Sequence, residues 1–363
     1  MMIFCTLFDS NYIDKGLIMY RSLYKQTHDF RLYILAMDQQ CETILESYHY
    51  PNIIVLSASV FIRENELERI KSERTVGEFC WSCTPFLIDY VLEKIHEEQC
   101  TYVDSDLFFY DDPRILLDEM GNKTVQIVEH RYNHSIVGWL AKKSSGTYCV
   151  QFNTFKNTED SVKLLQWWKD QCYFSCSSQE NTKKSVFGDQ GYLENWGEKD
   201  HVSVLNNPGG GVAPWNICQY NLENNIDGRI TLRDKKTKKV FPIVFYHFHN
   251  IHYYSRNKVY ISVYEVWRTD RKLIETIYYP YLQAIDSVRE ELEKNFGWSP
   301  KIRTDQSKKD QTEKPHITKK ISSLFRNGFF RGVLGWYYDK KNQQYISSKI
   351  LEFTVSDANR RNR

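Results

Sequence analysis

Three features of the sequence predict an α/β fold with a mostly parallel central sheet and flanking helices. Short apolar runs rich in β-branched and aromatic residues recur at 3–8, 31–37, 53–56 and 101–103, and each reads as a strand. Stretches with helical spacing separate them, the first at 15–26 with Leu17, Tyr20, Leu23 and Tyr24 on one face. The connections are short, which favours β-α-β units whose helices cover both faces of the sheet. Sheets of this kind bind ligands beyond the carboxyl ends of their strands. Asp9 and Asn11 follow the first strand and Asp38 the second, so all three are candidate site residues.

Taken in order, the first strand runs into Asp9-Ser10-Asn11-Tyr12. It carries neither a G-x-G-x-x-G nor a P-loop, so any nucleotide bound there must be read by side chains. Pro51 marks a turn before the third strand, and 64–73 reads as one polar helix. Thr84-Pro85 predicts a helix start, with Thr84 as N-cap and Pro85 at the first helical position, before Phe86, Leu87, Tyr90 and Val91. That helix feeds 101–110, where Leu107 to Tyr110 read as the apolar continuation of the strand at Thr101. A further strand at 125–128 is closed by Glu129-His130-Arg131, and 160–172 is an amphipathic helix with Val162, Leu165 and Trp168 on one side. Beyond Gly188-Asp189-Gln190 and the glycine-rich 206–216 come a basic hairpin at 233–239 and a strand at 240–246 that runs into His247-Phe248-His249-Asn250. The stripe Leu273, Ile277, Tyr281, Ile285, Val288 and Leu292 makes 272–296 a long helix facing the core. Residues 301–315 are polar and Lys-rich and read as a linker. They divide a main domain at 1–300 from a basic, helical C-terminal extension at 316–363.

Composition narrows the function classes. With 363 residues, 41% apolar and 26% charged, the chain has the profile of a large soluble globular protein. No apolar run reaches the ~20 residues that span a bilayer. Met1-Met2-Ile3-Phe4-Cys5 has no basic n-region, so no signal peptide is expected. Nine cysteines at scattered spacings, with Cys80 and Cys83 as a C-x-x-C that lacks a second pair, point to reduced thiols and a cytoplasmic protein. Residues 314–363 hold eleven Lys and Arg against three acids, a net +8, so the rest of the +2 chain carries −6. A mildly acidic body speaks against nucleic acid as a partner.

The densest chemistry lies in Asp104-Ser105-Asp106. On a regular strand both carboxylates would share a face. They would repel and lose hydration unless a cation sat between them, and a hard divalent ion such as Mg²⁺ or Mn²⁺ is held in this way. A plain turn leaving a strand is the alternative. His247 and His249, at i and i+2, would share a face and could complete such a ligand set, or serve in packing and hydrogen bonding.

Asp9-x-Asn11-Tyr12, Tyr102-Val-Asp104-Ser-Asp106-Leu107, Phe187-Gly-Asp189-Gln190-Gly-Tyr-Leu193, Gly210-Gly-Val-Ala-Pro-Trp-Asn216 and His247-Phe-His249-Asn250 occur in this order over residues 2–255. Together they resemble nucleotide-sugar glycosyltransferases of the GT-A fold, especially glycosyltransferase family 8 and its bacterial relatives. The resemblance implies that Asp104, Asp106 and His247, with His249 beside it, hold Mn²⁺ or Mg²⁺ against the diphosphate of a UDP-sugar donor. It implies that Asp9, Asn11 and Tyr12 contact uracil and ribose, and that Asp189 and Gln190 lie beside the transferred sugar as the catalytic pair. Arg74 and Lys258 are the cations that could reach the donor. The acceptor would be a glycan or a lipid-linked sugar. Two departures stand out: Cys149 and Gln151 occupy positions where the family has Asn and Gly, and Asn250 stands where it has Gly. Two other classes compete, a sugar-1-phosphate nucleotidyltransferase and a non-catalytic binding module of the same fold. The first should carry a Gly-rich loop and lysine after strand one, and residues 8–12 offer neither. In the tail, Ile317, Ile321, Leu324 and Phe325 recur at helical spacing among Lys319, Lys320 and Arg326. Such a segment can lie on the anionic inner face of a membrane or pack on the main domain, and both readings stay open.

Overall fold

A computed structural model describes residues 1–177, 187–255 and 258–302. The expected linker and the basic extension with its membrane-contact segment therefore lie outside the described residues, apart from Lys301 and Ile302. Among the described residues, no helix is long and apolar enough to cross a membrane, and all nine cysteines are free thiols.

The chain opens with β1 (Met2–Phe8), α1 (Ile13–Gln26), β2 (Phe30–Ala36), α2 (Gln39–Tyr48) and β3 (Ile53–Ser57), the alternation read from the sequence. β1 pairs in parallel with β2, and β2 with β3. The polar stretch that follows is two helices rather than one, α3 (Ala58–Glu64) and α4 (Glu68–Glu73), broken where Glu66 takes a left-handed φ of 55°. The next helix, α5 (Val76–Asp89), corrects the expected start at Thr84. Its N-cap is Thr75, whose hydroxyl and the Glu78 carboxylate form a reciprocal capping box. Pro85 therefore lies inside the helix, and Thr84 projects from its buried face.

After a short π-helical turn come β4 (Gln99–Val103), β5 (Leu107–Phe109), α6 (Arg114–Asp118), β6 (Val125–Glu129), α7 (Ile136–Ser145) and β7 (Tyr148–Lys156). α8 (Glu159–Phe174), β8 (Val202–Val204), β9 (Tyr220–Ile226), β10 (Arg229–Asp234), β11 (Val240–Pro242), β12 (Phe245–His247), β13 (His252–Ser255), β14 (Lys258–Tyr260) and α9 (Arg271–Phe296) complete the order. The main sheet runs β3-β2-β1-β4-β7-β6-β8. Every pairing in it is parallel except those of β7, which is antiparallel to both β4 and β6. β7 was not expected from the sequence because its buried side chains include Gln151, Asn153 and Thr154, which spoil an apolar run. The expected strand at 240–246 is split: β11 closes the β9-β10-β11 meander, while β12 turns away to pair with β5.

Two apolar layers enclose the sheet. Phe4, Phe8, Val103 and Phe152 face α1, α2 and α9, while Ile3, Cys5, Leu7 and Tyr102 face α3, α4, α5 and α8. α9 is locked to α1 by charge as well as by its apolar stripe. Arg21 grips Glu291 through two bonds of 2.8 Å, and Arg289 donates at 2.7 Å to Asp14, a fully buried carboxylate. Past the helix, the Trp298 indole N–H donates to Ser10 O at 2.8 Å, which pins the loop that follows β1.

Candidate functional site

The site forms where β4 ends. The last β4–β7 rung is the Asp104 N–H donating to Gln151 O at 3.1 Å. There the chain turns, with Leu107 N–H on Asp104 O at 3.3 Å, and β5 leaves to pair antiparallel with β12. Leu107 to Tyr110 are therefore not a continuation of β4, and Asp104 and Asp106 flank a turn instead of alternating along a strand. The β5–β12 register sets His247 opposite Leu107, which brings its imidazole onto the carboxylates. Nε2 lies 2.9 Å from Asp106 Oδ1 and 3.7 Å from Asp104 Oδ2. β12 ends at His247, so the two histidines do not share a regular strand face. Even so, the ligand atoms of Asp106, His247 and His249 all lie within 4.8 Å of one another.

The backing of this cluster is rigid. Phe248 N–H donates to Asp106 O at 2.9 Å, and its ring stacks on Tyr281 of α9 at 3.6 Å. The Tyr246 hydroxyl meets that of Tyr278 at 3.0 Å. The glycine-rich segment 206–216 runs along the other side of β12: Gly209 O accepts from Val244 and Phe245, and Val212 O accepts from His247. A Cβ at Gly209 would sit 2.2 Å from Pro242 O, so the close approach requires glycine. Asn216 holds the loop by donating to His130 O and Gly211 O and accepting from Ala213 N. This presents Trp215 edge-on to both His247 and His249, at 5.2 and 5.7 Å between ring centroids.

Electrostatics separates the two carboxylates. Burial pushes Asp104 up to about 7, against the pull of His247 and with help from the charge of Asp106. Burial acts the same way on Asp106, but the charge and hydrogen bond of His247 override it and hold Asp106 at about 2. Burial pulls His247 down, and Asp106 and then Asp104 more than reverse that, so its imidazole is held above its ordinary value. The positive charge the two carboxylates require is thus carried, among the protein groups, by a ring that is also a good metal ligand. One carboxylate, Asp106, with the two imidazoles gives the mixed O/N donor set that suits a divalent ion such as Mn²⁺, and these three residues fit that role, with Asp104 standing beside them.

Asp189 lies near enough to Asp104 to feel its charge. It is buried, its carbonyl accepts from the Trp168 indole at 3.0 Å, and it precedes a 3₁₀ turn at Gln190–Leu193. Burial first and the Asp104 charge second push it up to about 7. Two hydroxyls that the sequence does not mark act here: Tyr102 favours the charged form of Asp104, and Thr84 favours the charged forms of Tyr102 and Asp189. Gln190 Nε2 donates to Ser145 O at 2.6 Å, at the end of α7.

The remaining expected site residues divide. Asp9 and Asn11 form a local pair after β1, with Asn11 N and Nδ2 donating to the Asp9 carboxylate at 3.0 and 2.9 Å. Tyr12 is 45% exposed, with Lys15 Nζ 4.0 Å over its ring. Asp38 is occupied by structure: its carboxylate accepts from Ser10 and caps α2 through Cys41 N. Arg74 is engaged elsewhere, binding Ser82 Oγ and the carbonyls of Cys172 and Tyr173 at 2.7 Å, where it ties α5 to the end of α8. Lys258 starts β14, and its side chain lies outside the described part. Gln151 is part of the cluster, its Oε1 2.8 Å from His247 Nδ1.

No family model matches the chain. It is 29% identical over 302 residues to the uncharacterized protein YfnF of Bacillus subtilis (strain 168), covering 81% of this chain and 96% of that protein. YfnD of the same organism, also uncharacterized, is 27% identical over 306 residues, covering 82% and 94%. Among solved structures, the galactosyltransferase LgtC in complex with donor and acceptor sugar analogues overlaps 69% of this chain and 87% of its own, with a TM-score of 0.45 at 14% identity. The glycosyltransferase GlyE of Streptococcus pneumoniae TIGR4 overlaps 58% of this chain and 46% of its own, with a TM-score of 0.38 at 16% identity.

Proposed function

We propose that this chain is a metal-dependent glycosyltransferase of the GT-A type, with residues 1–300 as its catalytic domain. In this reading it moves a hexose from a UDP-sugar to a glycan or lipid-linked acceptor with retention of configuration. The observation that carries the reading is the convergence of Asp106, His247 and His249 just past the carboxyl end of β4, with Asp104 beside His247 and Asp189 within reach of the Asp104 charge. Paired carboxylates and imidazoles at a strand end, next to a loop whose Asp9, Asn11 and Tyr12 can read a nucleoside, match the needs of a nucleoside diphosphate bound through a cation.

The four residues would hold Mn²⁺ or Mg²⁺, and when bound that ion offsets the charge that builds on the departing diphosphate without a proton transfer. The protein groups do the rest. Tyr12 offers an exposed ring for the uracil, and the Asp9–Asn11 pair offers directional acceptors and a donor for the ribose. Asp189, poised near neutral pH, can both accept from and donate to sugar hydroxyls. Gln190, anchored on Ser145 O, is assigned to the sugar beside it. Lys258 is assigned to the diphosphate, and Arg74 could join it only by leaving the end of α8.

The test is incubation with UDP-glucose or UDP-galactose and Mn²⁺, following UDP. Slow, metal-dependent hydrolysis is expected. UTP formation from added pyrophosphate would identify a nucleotidyltransferase instead, and binding without turnover across a full acceptor panel would identify a binding module.

A further inference from the structure

We infer that Gln151 is a positioning residue for His247: its amide oxygen holds the Nδ1–H of the imidazole and so turns Nε2 toward Asp104 and Asp106, where it donates to Asp106 at 2.9 Å and would offer its lone pair to a bound cation. The inference rests on the metal-site reading above and extends it to a residue that the sequence marks only as a departure. Gln151 is fully buried in β7 and touches the cluster twice. Its backbone oxygen takes the Asp104 N–H at 3.1 Å, and its side-chain Oε1 lies 2.8 Å from His247 Nδ1. One strand position thus fixes both a carboxylate-bearing backbone and the ring that faces it. An imidazole whose Nδ1 keeps its hydrogen for an acceptor has Nε2 left as its ligand atom when a cation replaces the proton there, and such outer partners set ring orientation in metal sites.

Gln151 Nε2 is buried without a partner, as are Nε and Nη2 of Arg131. A Cβ at Gly211, which has φ +94°, would come within 2.8 Å of Arg131 Nη2 and 3.1 Å of Gln151 Nε2. Both donors therefore crowd the same glycine. With the oxygen committed to His247, the amide nitrogen is left beside the same glycine as another donor, the Arg131 guanidinium. A glutamate in place of Gln151 would keep an acceptor on His247 and meet the Arg131 guanidinium on its other side. A leucine would fill the space and offer neither.

The experiment compares wild type, Gln151→Leu and Gln151→Glu as full-length proteins, with Mn²⁺ alone as the probe and the electron paramagnetic resonance of free Mn²⁺ as the readout. Gln151→Leu is expected to weaken Mn²⁺ binding about 10–100-fold, and Gln151→Glu to bind at least as tightly as wild type. In parallel, ¹⁵N-histidine labelling of wild type should show a slowly exchanging Nδ1–H on His247, identified by its loss in His247→Asn. That readout needs no metal. If wild type binds no Mn²⁺ but shows this proton, the metal reading fails and the positioning role of Gln151 stands. Wild-type Mn²⁺ affinity in Gln151→Leu, a Gln151→Glu protein no better than Gln151→Leu, or the absence of the protected ring proton overturns the inference, the last even if Gln151→Leu does not fold.

Discussion

Replacing Asp106 with alanine should separate function from stability. Asp106 makes two charge interactions of opposite sign, attraction to His247 at 2.9 Å and repulsion from the neighbouring Asp104. Unit charges about 4 Å apart in a partly buried site interact by about 4 kcal/mol, and the attraction lost is offset in part by the repulsion relieved and by the end of the burial penalty on Asp106. Asp104, already 3.7 Å from the same nitrogen, can take over the pairing. The fold should therefore shift by only about 1 kcal/mol, within the range of ordinary substitutions. Catalysis has no such compensation. Losing one ligand to the cation that steadies the departing diphosphate should cost about 3–4 kcal/mol of transition-state stabilisation, comparable to removing one preorganised donor. That corresponds to a loss of several hundredfold in rate. The assay is UDP release from the donor over a Mn²⁺ titration, with thermal unfolding of the same samples as the control. An Asp106→Ala protein that keeps wild-type Mn²⁺-dependent turnover would refute the reasoning, and one that unfolds would show that the carboxylate serves the fold.

Arg289→Met should strand the buried Asp14 carboxylate with Lys15 alone, 3.7 Å away. Breaking a buried pair from one side costs about 3–5 kcal/mol, and the lower end applies because Lys15 remains. Burial pushes Asp14 up, but Lys15 and Arg289 together hold it below its ordinary value. Its contribution is thus fully present above the unfolded value near 4 and lost as the pH falls through the folded one. Urea unfolding should show a gap between wild type and Arg289→Met that narrows below about pH 4, and a gap that widens there would contradict the assignment. Asp189→Ala and Gln190→Ala should leave UDP affinity in place and lower turnover, because both are assigned to the sugar. Calorimetric titration with UDP and Mn²⁺ that showed affinity falling as far as rate would place them elsewhere.

What the sequence disclosed followed the range of the forces involved. The parallel start of the sheet was legible because β1, β2 and β3 are short apolar runs whose helices lie between them. The carboxylate pair was legible because Asp-Ser-Asp follows an apolar strand, although the same residues also suit the turn that forms there. α5 was misplaced because Thr84-Pro85 imitates a helix start, while the true signal, Thr75 followed three residues later by Glu78, lay upstream. β7 and Gln151 were hidden for a different reason. Polar residues in a buried strand make sense only once their partners are known, and the partner of Gln151 lies 96 residues away on β12. Likewise His247 meets Asp106 through the β5–β12 register, which no local pattern encodes. Arg74 shows the converse: a cation that suits a donor phosphate by type is engaged in holding two helices together.

The central claim is that Asp104, Asp106, His247 and His249 form one cation site for a nucleoside diphosphate. Crystals of the full-length protein grown with Mn²⁺ and UDP, measured near the manganese absorption edge, test it directly. The account predicts a single strong anomalous peak among Asp104, Asp106, His247 and His249, with the diphosphate oxygens of UDP completing its coordination. A peak elsewhere, or UDP bound with no manganese among these side chains, would contradict it.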